Sequence, residues 1–146
     1  MVLLTLVVVG GTLSVFVVQK IRNRNPERFI KLADQADIDG NYADEITYLG
    51  NAAARSRGDA ALLVRLGDVY RKTVPTEGRE AFANAVGVWR RALEVDPVNV
   101  AALTRLMDTF NDISRQGGRS EDYTQLRDYA RRLAAADPSN QDAAEL

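Results

Sequence analysis

A chain of 146 residues with 46% hydrophobic and 27% charged side chains has room for one modest globular domain. Its net charge of -1 offers no basic face of the size that nucleic acid requires. Cysteine and histidine are both absent, which excludes thiol nucleophiles, disulfides, zinc sites built on those ligands and imidazole acid–base chemistry, and no cofactor is expected.

The first element is apolar. Met1 to Gln19, MVLLTLVVVGGTLSVFVVQ, carries no charge, and as a helix rising 1.5 Å per residue it would span roughly 28 Å, close to the hydrocarbon thickness of a bilayer. The stretch predicts a transmembrane helix over residues 1–19. A cleaved signal peptide fits less well, because there is no basic leader at Met1 to Leu6 and no small-x-small site at Phe16 to Gln19. A buried core helix and a true start further upstream are the other readings. A basic linker over 20–25 follows, with Lys20, Arg22 and Arg24 expected at the membrane surface and Arg28 and Lys31 just beyond. This one-sided charge predicts a single-pass protein with the remaining chain in the cytoplasm, an orientation that basic residues upstream of Met1 would reverse. Gly10 and Ser14 form one small-xxx-small pair, a weak signal for helix pairing in lipid.

From residue 26 the pattern becomes periodic. Phe29, Leu32, Ala33 and Ala36 are followed 34 positions later by Leu63, Leu66, Gly67 and Tyr70, and 40 positions after that by Leu103, Leu106, Met107 and Phe110. Each set is one face of a helix. Asn25, Asp59 and Asn99 stand four residues before each set, and Asn140 continues the series; these side chains cap helix N-termini. A second helix follows in register. Tyr42, Ile46, Leu49, Ala52 and Ala53 correspond to Phe82, Val86, Trp89, Ala92 and Leu93, and more loosely to Tyr123, Leu126, Ala130, Leu133 and Ala134, with Arg127 falling where Ile46 and Val86 lie. The turn within a pair is short at Asp39-Gly40-Asn41. Longer hydrophilic turns are expected around Val74 to Gly78 and around Gln116 to Ser120. Pro97 and Pro138, each after Asp, close the second helices of the later pairs, as Gly58-Asp59 does after the first.

This arrangement resembles the tetratricopeptide repeat, a helix-turn-helix unit. The likeness rests on Leu63, Leu66, Gly67 and Tyr70 on a first helix, Gly40 and Tyr42 in a turn, Ala85 and Trp89 on a second helix, and Ala92 and Pro97 at its close. Glu45, Met107 and Leu126 depart from it by standing where the family has small residues. The resemblance implies an all-α fold: a TPR-like α-solenoid of three repeats (26–59, 60–99, 100–138), preceded by the transmembrane helix, with 139–146 opening a further repeat or capping segment. Helix pairs of this kind bury their apolar stripes only by stacking.

In that family the first helices line a concave groove that holds a protein or peptide partner. Carried over by register, the candidate groove residues are Asp34, Asp37, Val64, Asp68, Arg71, Arg105, Asp108 and Asn111. Asp34, Asp68 and Asp108 are equivalent positions and predict an acidic ladder, which repels itself unless Arg65, Arg71 or Arg105 interleaves or a basic ligand neutralises it. A carboxylate-clamp role is disfavoured, because Ile30, Val64 and Thr104 stand where its lysines would be. Asp37 to Gly40 fails as a calcium loop, since Gln35 and Ile46 occupy its first and twelfth places. Asp44-Glu45 and Glu121-Asp122 are placed to favour helix dipoles rather than catalysis. The expected function is therefore non-enzymatic: a membrane-anchored adaptor that mediates protein–protein interactions, with a docking arm of a longer enzyme and a self-associating structural unit as the alternatives.

Overall fold

The computed structural model describes residues 25–145. Among these the chain is entirely helical, in seven helices: α1 (Pro26–Ile38), α2 (Tyr42–Arg55), α3 (Ala60–Glu77), α4 (Arg79–Val95), α5 (Val100–Arg115), α6 (Ser120–Ala136) and the single turn α7 (Gln141–Ala144). No helix among the described residues is long and apolar enough to cross a membrane. The expected transmembrane segment at 1–19 and the basic residues Lys20, Arg22 and Arg24 lie outside the described residues.

All four expected caps form. Asn25 accepts from the Glu27 amide at 3.0 Å, Asp59 from Leu62 at 3.1 Å, Asn99 from Ala102 at 3.0 Å and Asn140 from Ala143 at 3.0 Å. Each satisfies an amide that the helix itself leaves without an acceptor, a contribution of about 1 kcal/mol. Pro26 stands in the first turn of α1, where its missing N–H costs nothing. The second helices stop where expected, at Val95 before Asp96-Pro97 and at Ala136 before Asp137-Pro138.

One expected turn is helical instead. Val74 to Glu77 forms the last turn of α3, and Gly78 alone separates α3 from α4. Pro75 cannot donate to the carbonyl four residues earlier, so its place inside a helix calls for compensation. Thr73 Oγ1 donates to the Tyr70 carbonyl and Thr76 Oγ1 to that of Thr73, both at 2.9 Å. The Gly78 amide then bonds Val74 O at 2.8 Å, with φ at 65°, a left-handed conformation that glycine adopts without strain. The longer spacing between the second and third pairs is thus taken up by helix, α3 having 18 residues against 13 in α1. In the third pair the expected turn survives in part, over residues 116–119.

The chain divides into two compact units at Arg57-Gly58. In the first, α1 packs along α2 over a small core of Ala33, Ala36, Leu49 and Ala52, with Glu45 also buried, at 1% exposure. The Arg55 guanidinium lies 4.4 Å from the centre of the Phe29 ring.

In the second unit α3 packs on α4, α4 on α5, α5 on α6 and α6 on α7. Trp89 fills the α3–α4 interface at 1% exposure, and its indole donates to Val64 O at 3.3 Å. Gly67 faces it: a Cβ there would come within 2.4 Å of the indole nitrogen, so the close approach requires glycine. The two pairs are joined by Arg90 of α4, which donates to Tyr129 Oη at 3.1 Å and to Gln125 of α6, and lies 5.6 Å from the Phe110 ring of α5. Phe110 and Tyr129 stack at a tilt with centroids 5.7 Å apart.

Candidate functional site

The first helices of the second unit carry most of the candidate groove. α3 supplies Val64, Asp68 and Arg71; α5 supplies Arg105, Asp108 and Asn111. Residues 68 and 71, and again 105, 108 and 111, recur at helical spacing and so share a stripe on each helix. Val64 is the exception in exposure: its side chain is buried. Asp34 and Asp37 are exposed on α1, in the first unit.

The structure brings Asp68 and Arg105 together. Arg105 Nε meets Oδ1 of Asp68 at 2.9 Å and Nη2 meets Oδ2 at 3.3 Å, a two-pronged pair that matches a planar guanidinium to a carboxylate. Donating to Asp68 raises the pKa of Arg105, with partial desolvation opposing and the Asp68 and Asp108 charges adding to the rise. This rung of the acidic ladder is therefore neutralised from within, by the helix that follows in register.

Asp108 is placed differently. Loss of hydration holds its carboxyl above the ordinary carboxylate range; Arg105 pulls it down, and the charges of Asp112 and Asp142 push it further up. Asp142, on α7, and Glu145, just after it, join Asp108 around a pocket of about 390 Å³, with Met107, Asn111 and Arg115 in its walls. A second cleft, of about 550 Å³, adjoins it through Asn111 and Arg115 and is lined further by Ser114, Tyr123, Leu126 and Arg127. Its floor is apolar, since Leu126 is buried and the Tyr123 ring lies with its hydroxyl bonded to Ser114 O at 2.8 Å. This arrangement can bind charged and apolar side chains of a partner.

Sequence reasoning did not single out Ser114, Arg115, Arg127, Asp142 or Glu145 as site residues. For Asp142 and Glu145 a signal existed, because the Asn99 to Asn140 offset aligns them with Ala101 and Thr104, two turns and one turn before Asp108 on α5. Arg127 was noticed only as a mismatch in the core pattern. Among the described residues no group of three or more His, Cys, Asp or Glu side chains could hold a metal ion. In comparisons with known proteins, no protein-family model and no curated sequence matches this chain.

Proposed function

We propose that this protein is a membrane-anchored scaffold of tetratricopeptide-like repeats that holds a protein or peptide partner on the stripe that α3 and α5 carry in its second unit. The observation that carries the reading is the Asp68–Arg105 pair between equivalent stripes of successive first helices, with Asp108 the next position in that register. The four in-register caps support the repeat, and the uncharged run at 1–19 followed by Lys20, Arg22 and Arg24 supports the anchor. An anchor confines the binding face to the plane of the bilayer, which raises its effective concentration toward other membrane-resident proteins without any new contact.

Crosslinking of the full chain in its native membrane, followed by mass spectrometry of recovered proteins, tests the reading. Reproducible partners lost on Arg71→Glu or Asn111→Lys support it. Recovery of the chain alone, or of partners indifferent to both changes, overturns it in favour of self-association or of a role elsewhere on the molecule.

A further inference from the structure

The acidic pocket and the apolar cleft beside it form one trough along α5. Its α5 residues are Met107, Asp108, Asn111, Ser114 and Arg115, a stripe at helical spacing. The acidic end has Asp108, Asp142 and Glu145, none of which makes a hydrogen bond or ion pair among the described residues. Arg115, two turns on from Asp108, borders both the acidic pocket and the cleft, and Arg127 lies at the far end; neither has an ion-pair partner among the described residues. Between them lie Leu126, the Tyr123 ring and the Ser114 hydroxyl, which is buried at 7% exposure, lines the cleft and has no hydrogen-bond partner among the described residues. A buried hydroxyl without a partner is costly, and a ligand that supplies one recovers that cost.

The second unit contains its own template for what such a stripe accepts. Asp68 on α3 takes the guanidinium of Arg105 from the next first helix. Asp108 is the equivalent of Asp68, and the position equivalent to Arg105 in the segment after Asn140 is Leu146, which has no charge to offer. α7 contributes Asp142 to the acidic pocket.

We propose that the trough docks a partner helix bearing a lysine or arginine and, two turns away, an aspartate or glutamate, with an apolar residue between them. The spacing follows from the stripe: Asp108 and Arg115 are seven residues apart on one helix, or about 10 Å at 1.5 Å per residue. The base meets Asp108, Asp142 and Glu145; the acid meets Arg115 and Arg127; the apolar residue covers Leu126 and Tyr123. The proposal rests on the scaffold reading and names the chemistry of its partner.

The probe is a fluorescein-labelled helical peptide on an Ala/Gln background with Lys and Glu seven positions apart and Leu midway, titrated by anisotropy against the full chain in neutral-lipid nanodiscs, with empty nanodiscs as the blank. Saturable binding is expected, weakened at least tenfold by Asp108→Lys and restored when the peptide lysine is replaced by glutamate in the presence of that variant. Arg127→Glu should show the same loss and the same rescue by a peptide whose Glu is replaced by Lys. Binding that is absent while circular dichroism shows an intact helical chain, or that is indifferent to the charge changes, overturns the proposal. If the crosslinking experiment meanwhile recovers partners that Arg71→Glu abolishes and Asp108→Lys does not, the trough is refuted and the scaffold reading stands; loss of both results refutes both.

Discussion

The α3–α4 and α5–α6 pairs close the same kind of interface with opposite choices of side chain. In α3–α4 the first helix gives the smallest residue, Gly67, and the second the largest, Trp89. In α5–α6 the equivalent positions are Met107 and Ala130, both 2% exposed. The α1–α2 pair stands between, with Ala33 and Leu49 both fully buried. In each of the three helix pairs a small residue at one of these positions is matched by a larger one at the other, as close packing favours. Met107, large where Gly67 and Ala33 are small, goes with the small Ala130 at the position of Trp89 and Leu49.

The pairs also differ in how fully they are covered. The α3–α4 pair carries α5 against α4 and has its Asp68 ion-paired to α5. Among the described residues the α5–α6 pair carries the single turn of α7 against α6, and beside it lie the cleft, the Ser114 hydroxyl and the charged side chains that line the trough. The first of these pairs holds more of the buried side chains, and the second borders the cleft.

The largest way to break this contrast is Trp89→Ala, expected to cost about 3–5 kcal/mol in chemical unfolding, through cavity formation and loss of the indole bond to the Val64 carbonyl. Gly67→Ala comes next. At an ordinary helix site that change gains roughly 1 kcal/mol, but here the new Cβ meets a pinned indole at 2.4 Å, so overpacking should reverse the sign to a loss of about 1–3 kcal/mol. Combining it with Trp89→Leu reproduces the Ala33/Leu49 solution and should recover part of the loss; strict additivity in the double-mutant cycle would sink the volume argument.

Asn99→Ala removes the cap that starts the α5–α6 pair and should lower stability by about 1 kcal/mol. Arg105→Ala should cost at most about 1 kcal/mol, because both side chains of the pair are partly exposed, at 44% and 33%, and solvent screens their attraction. A loss several times larger would place that pair in the core rather than on a binding face.

The smallest effect is the most informative about charge. The Asp108 carboxyl has a raised pKa in the folded chain, so the native state holds its proton more firmly than the unfolded chain does. Stability from this group is fully present below the ordinary value of 3.8 and is lost as pH rises through the higher folded-state value. Asp108→Asn should therefore raise the melting temperature slightly at pH 7, within about 0.5 kcal/mol, and the gain should vanish in acid. A destabilised variant at neutral pH would mean that Asp108 is already satisfied by a cation inside the molecule, leaving nothing for a partner to supply.

Much of the helical layout was legible from residue types alone. Asn25, Asp59, Asn99 and Asn140 fix where helices start, because a short polar side chain next to an apolar stripe has one efficient use for its oxygen. Asp96-Pro97 and Asp137-Pro138 fix where they stop, because proline cannot extend a helix behind it. These are local effects, and the chain carries them wherever it goes.

Pro75 marks the boundary of that method. By itself it reads as a turn, yet Thr73, Thr76 and Gly78 restore enough hydrogen bonds for α3 to run through it to Glu77. The site lies beyond the boundary as well. That Asp68 is spent on Arg105 while Asp108 shares a pocket with Asp142 and Glu145 depends on residues 34 to 37 positions apart, and that Arg127 and Ser114 border one cleft depends on how α6 lies on α5. The sequence determined the helices, their caps and their register; the tertiary structure decided which charges cancel and which remain for a partner, because cancellation depends on distances between helices that no local pattern encodes.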